Sequence, residues 1–273
     1  MIFSYSLNID SWLDWYICEN FKKSVSKKKA SNFITLKLEK VKNLIIGTEY
    51  IDDYSELGKF ADLIYGLCSR GLVEKLIFLS TYCVYEPSSF PFIEDESFVS
   101  PKNYIGSKSL FIENLINYIH EKFSIPSKIL RVFNVYGPFQ KGPYLISELL
   151  SGLANKKIIE IGDVDKVRDF LYISDFLNIL DFILNDNSKN IEKYNIGSGD
   201  AISIKGLINR VEKITKIKPN VVFNATKLRE EYDYDYAVAN ITKLKTRYGW
   251  QPKVTLEQGL ALTYQWILGR SQR

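Results

Sequence analysis

Short apolar runs alternate with longer segments of helical period along the first half of the chain. Apolar residues dominate positions 42–47, 75–79 and 127–133, which have the length of buried strands. Between them, residues 55–70 and 103–123 repeat apolar side chains at the three- and four-residue spacing of an amphipathic helix. A strand–helix–strand–helix–strand series predicts a parallel sheet with right-handed crossovers, and therefore an α/β fold.

The pattern changes after residue 140, where shorter helices and strands are mixed. Helical spacing occurs near residues 144–154, 174–185, 203–216 and 256–268, and short strands are predicted near residues 157–161, 191–196 and 220–223. We therefore predict two domains, a parallel-sheet domain over residues 1–140 and a smaller α/β domain over residues 141–273.

Composition and charge narrow the class of protein and its partners. Hydrophobic residues make up 46% and charged residues 25% of the sequence, which argues against a disordered chain. The net charge of +4 is too small for a typical nucleic-acid-binding surface, so no nucleic-acid partner is expected. Because we find no run of about twenty apolar residues and no basic leader segment, we expect no membrane segment and a cytoplasmic protein.

Cysteine and histidine usage argues against a metal site. The three cysteines, Cys18, Cys68 and Cys83, lack the paired spacing of a zinc site or a disulfide framework, which favours a reducing compartment. The single histidine, His120, excludes a His-rich metal site and disfavours a Ser-His-Asp triad. We therefore predict that the chain binds no metal.

Three polar segments lie where chemistry is expected in an open parallel sheet. Residues 78–85 end a predicted strand with hydroxyl groups, residues 104–108 begin a helix, and residues 131–138 end the next strand with an asparagine. Ligands bind beyond the carboxyl ends of parallel strands, so two of the segments fall at the expected edge. Tyr104 and Lys108 are four residues apart and therefore share one face of their helix.

This tyrosine and this lysine suit a specific proton transfer. Free tyrosine has a pKa of about 10 and is a poor base at neutral pH, but a neighbouring ammonium group favours the phenolate and lowers that pKa. Tyr104 beside Lys108 can then accept a proton from a sugar hydroxyl while hydride leaves the same carbon, and Thr81 can hydrogen-bond the oxygen. An ordinary first helical turn would also place Tyr104 and Lys108 together, so the assignment depends on all three segments.

In combination, these segments resemble the extended short-chain dehydrogenases/reductases, the NAD-dependent nucleotide-sugar epimerase/dehydratase family. The likeness covers roughly residues 41–268. It identifies Thr81 as the catalytic hydroxyl, four residues before Tyr85, and Tyr104 and Lys108 as the catalytic dyad. It implies a Rossmann-like sheet, NAD as cofactor and a nucleoside diphosphate sugar as substrate.

The resemblance also implies a set of binding residues. Cofactor contacts are expected from Gly47, Thr48, Ser80, Tyr104, Lys108 and Phe133. Substrate contacts are expected from Thr81, Asn134, Arg168 and Arg229, the last three on the diphosphate. An arginine fork suits phosphate on physical grounds as well, although the match at Arg229 is shifted by about one residue.

The beginning of the chain departs from this family. The family opens with a strand and three glycines that let pyrophosphate approach a helix N-terminus, whereas here Ser4, Leu7 and Asp10 occupy those places and the first strand is cut to about three residues. No aspartate lies between Asp14 and Asp52 to hold the adenosine ribose. We therefore expect a sheet shortened on its N-terminal side. The chain is then either an active enzyme whose N-terminus is divergent or whose gene start was lost, or a member that no longer binds NAD in the usual way.

Two residues narrow the class of reaction. Sugar 4,6-dehydratases of this family carry Asp-Glu directly after the catalytic threonine, whereas this chain has Tyr82 and Cys83. Dehydration is therefore disfavoured, and we predict a 4-epimerase that oxidises C4 transiently, in polysaccharide or glycoconjugate synthesis. The alternatives are a keto-sugar reductase, or a non-catalytic member that binds a nucleotide-sugar or a protein partner.

The same resemblance gives expectations for the type of cofactor and for the oligomeric state. NAD is favoured over NADP, since no arginine for a 2′-phosphate stands near a second strand. The helix over residues 104–123 carries Phe111, Leu115 and Tyr118 on one face. Family members often pair through such helices, so the resemblance implies a homodimer.

Overall fold

The computed structural model describes residues 2–5, 12–13, 16–17, 40–47, 54–140, 142–227 and 234–271. Its strands are β1 (Ile2–Tyr5), β2 (Val41–Gly47), β3 (Val73–Thr81), β4 (Ser127–Val132), β5 (Asn134–Tyr136), β6 (Ile159–Ile161), β7 (Val167–Arg168), β8 (Phe170–Tyr172), β9 (Ile191–Ile196), β10 (Ile202–Ser203), β11 (Val221–Phe223) and β12 (Tyr236–Ala237). Its helices are α1 (Tyr54–Ser69), α2 (Tyr104–Phe123), α3 (Leu145–Ala154), α4 (Ile173–Asn185), α5 (Ile204–Thr215), α6 (Thr242–Tyr248) and α7 (Leu256–Ser271). Short 3₁₀ turns cover Tyr82–Val84 and Ala225–Lys227.

A five-stranded sheet in the order β1-β2-β3-β4-β9 forms the framework for the predicted site. The strands β1 to β4 pair in parallel, and most residues of β2, β3 and β4 are buried. Parallel strands are covered on both faces, so they appear in sequence as continuous apolar runs rather than as alternation. The predicted α/β class with a parallel central sheet is confirmed.

The strand β1 is the outermost strand of this sheet in the described part of the chain. It has four residues, close to the three expected from the sequence. Strand order runs from β1 to β9 without reversal among the described residues. Ser4, which stands in the place of the first family glycine, lies inside β1 and pairs with Ile45. Leu7 and Asp10, in the other two glycine places, lie outside the described residues.

The helices α1 and α2 pack their apolar sides on this sheet. One buried cluster joins Leu57, Phe60 and Ile64 of α1, Ile112, Ile116 and Ile119 of α2, and Leu44, Ile46, Leu76, Phe78 and Ile129 of the strands. The start of α2 is fixed by Asn103, whose side chain accepts the N–H of Gly106 at 2.7 Å. The helix ends at Ser124, which adopts the left-handed conformation common after a helix C-terminus, with φ of 54°.

The chain forms two compact units from alternating segments. Residues 1–86, 98–132 and 180–194 make up the first unit, and residues 87–97, 133–179 and 195–273 make up the second. The sequence pattern alone placed one boundary, between residues 140 and 141. In its described part, the second unit contains the sheets β10-β7-β12, β11-β6 and β5-β8.

Buried lysines anchor the amino ends of β3 and β4 within the first unit. The Lys75 ammonium donates to the carbonyl oxygens of Ile183 at 3.3 Å, Leu184 at 3.0 Å and Asp186, at or just beyond the end of α4. The last carbonyl groups of a helix have no intrahelical donor, so Lys75 satisfies them. Burial lowers the pKa of Lys75, and the charge of Asp186 opposes that shift. Lys128 pairs with Asp186 at 3.4 Å.

Replacing Lys75 by methionine is expected to lower the free energy of unfolding by about 1–3 kcal/mol, because the buried carbonyl groups lose their donor. Urea denaturation followed by circular dichroism measures this loss. The matched control is Lys59→Met on the exposed side of α1, where a change within about 0.5 kcal/mol is expected. Equal losses in the two variants would contradict the anchoring role of Lys75.

Candidate active site

Thr81 ends β3 and begins the 3₁₀ turn over Tyr82–Val84. Its Oγ1 accepts the backbone N–H of Cys83 at 3.2 Å, which is the hydrogen bond of a helix N-cap. A threonine hydroxyl has one donor and two acceptor positions, so this bond orients the oxygen and leaves the hydroxyl proton to be donated. The half-buried side chain therefore presents an oriented hydroxyl at the carboxyl end of β3, as the sequence predicted.

The first turn of α2 lies directly against this 3₁₀ turn. A Cβ atom added to Gly106 would stand 2.7 Å from the carbonyl carbon of Cys83 and 2.8 Å from Cβ of Pro101, and would overlap the Cys83 carbonyl oxygen. Glycine is required for an approach this close between two backbones. Because Tyr104 and Thr81 each lie two residues before the contacting residues, the contact brings them into the same part of the first unit.

Lys108 lies one turn along α2 from Tyr104. Its Nζ is 5.3 Å from the centroid of the Tyr104 ring, and Lys108 is only 3% exposed. The phenol oxygen of Tyr104 is also buried, so solvent screens the attraction between the two groups weakly. Tyr54, the first residue of α1, packs its ring edge-on against Tyr104 at 5.3 Å. No sequence signal marks Tyr54, because its contact depends on how α1 and α2 pack.

Ser80 is part of a buried polar network under the site. Its hydroxyl donates to Oε1 of Glu113 at 2.6 Å. The same carboxylate accepts from Nε of Arg131 at 3.1 Å and from Nη2 at 2.7 Å. All three residues are almost fully buried. The expected contact of Ser80 with the cofactor remains a prediction, and sequence analysis did not identify Glu113.

Phe133, Asn134 and Arg168 belong to the second unit, where Phe133 directly precedes β5, Asn134 begins β5 and Arg168 ends β7. Phe133 is buried, and Asn134 begins β5, which pairs with β8. The Asn134 amide donates to the carbonyl oxygen of Asp169 at 2.9 Å, so Asn134 lies close to Arg168. The Arg168 guanidinium is mostly buried and donates to the carbonyl oxygen of Tyr234 at 2.6 Å. Binding of the diphosphate by Asn134 and Arg168 remains a prediction.

Asp169 organises the loops around these two residues. Its carboxylate accepts the N–H and the hydroxyl of Ser198, both at 2.6 Å, and the N–H groups of Gly199 at 2.9 Å and Ala239 at 3.1 Å. Burial raises the pKa of this fully buried carboxyl, and the hydrogen bonds from Ser198, Gly199 and Ala239 oppose that shift. Asp169 thereby fixes the backbone on either side of the strand end that carries Arg168.

The described residues fit the nicotinamide end of a dinucleotide. A phenol, an ammonium group and a hydroxyl donor are the groups that oxidation of a sugar alcohol requires. At Gly47, the end of β2, an added Cβ would have Leu79 as its nearest neighbour among the described residues, at 3.9 Å, so their packing leaves room for a ligand. Residues 1–46 contain no glycine. Thr48 and Arg229, the remaining predicted ligands, lie outside the described residues.

The described part of the chain contains neither a cluster of candidate metal ligands nor a membrane-spanning helix. Among those residues, no group of three or more His, Cys, Asp or Glu side chains is placed to hold a metal ion. None of the helices in the same residues is both long and apolar enough to cross a bilayer.

Comparison with known proteins places the chain in a sequence family. The profile described as "NAD dependent epimerase/dehydratase family" matches residues 56–197, just over half of the chain. The UDP-glucuronate 4-epimerase of Thermodesulfobacterium geofontis is 29% identical over 202 residues, which cover 71% of this chain and 59% of that relative. The uncharacterized UDP-glucose epimerase YtcB of Bacillus subtilis is 30% identical over 194 residues, covering 71% and 60%. This chain thus spans about 60% of the length of these relatives.

Solved structures share the fold over the full chain. A UDP-glucuronic acid 4-epimerase from Bacillus cereus, in complex with UDP-glucuronic acid and NAD, aligns with a TM-score of 0.84 at 22% identity, over 99% of this chain and 100% of that one. A UDP-glucose 4-epimerase from Thermotoga maritima, with UDP-glucose, aligns with a TM-score of 0.82 at 18% identity, over 100% and 99%. At these identities the likeness establishes the shared fold.

Proposed function

We propose that this chain, which belongs to the NAD dependent epimerase/dehydratase family, is a nucleotide-sugar oxidoreductase that acts as a sugar 4-epimerase. The observation that carries the proposal is the contact between Gly106 and Cys83, which holds Thr81 beside the helix that bears Tyr104 and Lys108. The 4-epimerases among the relatives and structural neighbours support this choice of reaction.

In the proposed reaction, three side chains bind the C4 oxygen of the sugar and transfer its proton. Thr81 donates a hydrogen bond to the C4 oxygen, since the N–H of Cys83 occupies one of its two acceptor positions and orients the hydroxyl. The ammonium group of Lys108 stabilises Tyr104 as the phenolate, which accepts the hydroxyl proton to become a neutral phenol and later returns that proton. NAD, when bound, supplies the reversible hydride acceptor.

The binding residues are proposed on the same basis. Asn134, Arg168 and Arg229 would hold the diphosphate, and a guanidinium fork suits that group. Gly47, Thr48, Ser80, Tyr104, Lys108 and Phe133 would hold NAD. A UDP-sugar is the first substrate class to test, since UDP-sugars are named for the relatives and neighbours.

The residues after Thr81 support epimerisation over dehydration. Elimination of water across C5 and C6 needs a base for the C5 proton and an acid for the C6 hydroxyl, whereas the positions after Thr81 hold Tyr82 and Cys83. Neither side chain is a carboxylate. Transient oxidation at C4 requires only a hydride transfer and the transfer of a single proton, the role proposed for Tyr104.

A homodimer and a cytoplasmic location belong to this proposal. Phe111 and Tyr118 expose 49% and 48% of their surface on α2, which supports pairing through that helix. Cys68 is a buried free thiol, as is usual in a reducing compartment. Analytical ultracentrifugation at micromolar concentration tests the dimer, and sedimentation as a monomer would refute it.

To test the proposed epimerase activity, purified protein is incubated with NAD and either UDP-glucose or UDP-glucuronate. Formation of the 4-epimer is followed by anion-exchange chromatography and proton NMR. We expect the 4-epimer to accumulate to an equilibrium mixture without net consumption of NAD. Net oxidation of NADH or NADPH with a 4-keto sugar would identify a reductase instead. If NAD is absent from denatured extracts and does not bind in titration, the redox proposal is refuted.

The second candidate is a non-catalytic nucleotide-sugar-binding protein, favoured by the lack of any glycine before Gly47. In that case a UDP-sugar raises the melting temperature while NAD does not, because only a ligand that binds the folded state stabilises it. Stabilisation by both ligands supports the enzyme and counts against this candidate.

A further inference from the structure

A buried carboxylate on α2 joins the elements that carry the predicted catalytic groups. Glu113 is 1% exposed and accepts hydrogen bonds from Ser80 at 2.6 Å and from two nitrogens of Arg131 at 3.1 and 2.7 Å. Arg131 is also 1% exposed, and its guanidinium lies 4.6 Å from the centroid of the Tyr85 ring. Burial alone would lower the pKa of Arg131, but its contacts with Glu113 raise that pKa above its ordinary value.

The residues of this network belong to different elements of the site. Ser80 directly precedes Thr81 on β3, and Arg131 on β4 is the register partner of Ser80. Tyr85 follows the 3₁₀ turn that Thr81 caps. Glu113 itself lies on the helix that begins with Tyr104 and carries Lys108. The network therefore ties the Thr81 strand and its neighbour to the helix of the Tyr104–Lys108 pair.

A gain in stability does not explain why this buried network is present. Taking two charges out of water costs about as much as their attraction returns, and packed apolar residues are often as stable in their place. Its distinctive property is geometric, because a guanidinium fork on one carboxylate fixes distance and angle together. A Å-scale shift of a reacting group lowers rates by about 100-fold, so fixed geometry is valuable beneath a catalytic pair.

We propose that Glu113 is a positioning residue, which holds the Thr81 hydroxyl and the Tyr104–Lys108 pair in a productive arrangement through Ser80 and Arg131. This inference rests on the proposed function, since it concerns the efficiency of the same site. Glu113 contacts neither substrate nor cofactor in this role. Its loss should therefore lower kcat while leaving the binding of the nucleotide-sugar, and thus KM, nearly unchanged.

The test compares Glu113→Gln with wild type in the UDP-sugar epimerase assay, at a temperature where circular dichroism shows both proteins folded. Glutamine keeps the size of the side chain but turns an N–H group toward the Arg131 donors. We expect kcat to fall by about 10- to 100-fold with KM within about twofold. Arg131→Lys, which keeps the charge and loses the fork, should lower kcat in the same way and serves if Glu113→Gln does not fold.

Lys75→Met is the matched control, since it removes a buried charge at the opposite end of β3. It should lower the melting temperature with kcat unchanged. Wild-type kcat in folded Glu113→Gln or Arg131→Lys would overturn the inference, as would an equal loss of kcat in Lys75→Met. Failure of the proposed function is distinct, because the wild-type protein itself would then show no turnover.

Discussion

Replacing Tyr104 by phenylalanine is expected to reduce kcat by about 10²- to 10⁴-fold, the usual contribution of a general base. The substitution removes one oxygen and keeps the ring that contacts Tyr54 and lies 5.3 Å from Lys108 Nζ. The melting temperature should therefore change little, and the UDP-sugar should still bind. Turnover is measured as formation of the 4-epimer, and binding by the shift in melting temperature with UDP-sugar.

The control for this variant is Tyr118→Phe, on the same helix. Tyr118 is half-exposed and its hydroxyl accepts from Lys122 at 2.9 Å, remote in sequence from the catalytic turn. Its loss should leave kcat within about twofold of wild type, as for most surface changes. If Tyr104→Phe retained wild-type kcat, the phenol would not be the base, and the chemistry assigned to the site would be wrong.

Replacing Gly106 by alanine is expected to destabilise the protein by about 3 kcal/mol, at the upper end of overpacking effects. The new methyl group would overlap the backbone oxygen of Cys83 and press on Pro101, and backbone cannot rotate aside as a flexible side chain can. The start of α2 must then move away from the 3₁₀ turn. We therefore expect kcat to fall as well, since Tyr104 moves with the helix.

Gly58→Ala on α1 is the matched control for this substitution. It lies in a helix with no described atom within 4 Å of an added Cβ, so alanine should stabilise the protein by up to about 1 kcal/mol through helix propensity. Chemical denaturation measures both effects. Wild-type stability and kcat in Gly106→Ala would show that the two backbones do not need this close approach.

Much of the fold follows from patterns that are visible in the sequence. The strand predicted at residues 42–47 is β2 (Val41–Gly47), and the helix predicted at residues 55–70 is α1 (Tyr54–Ser69). Strands covered on both faces and helices with one apolar face leave strong periodic signals. The strands β7, β10 and β12 have only two residues each, too few to show a period, so sequence analysis missed them.

The residues of the candidate site also fall into two groups, those that the sequence marks and those that only packing brings together. Thr81 is marked by its place in a hydroxyl-rich strand end, and Tyr104 and Lys108 are marked by residue type and four-residue spacing, so the sequence alone is enough to propose these three. Glu113 and Gly106 act through partners distant in sequence, Arg131 and Cys83, and only packing brings those pairs together. One usable signal exists for Glu113, since it falls on the apolar side of its helix with Ile112 and Ile116. An acid on the core side of a helix needs a buried partner.

The first unit is assembled from separate segments of the chain, which affects how early it can fold during synthesis. Its last segment, residues 180–194, supplies part of β9 and the carbonyl groups that receive Lys75. A nascent chain that has left the ribosome only as far as residue 140 therefore exposes the open edge of β4 and lacks the acceptors for its buried ammonium groups. Completion of the first sheet must wait until residues 133–179 of the second unit have been translated, and during that interval the exposed strand edge makes the chain prone to aggregation.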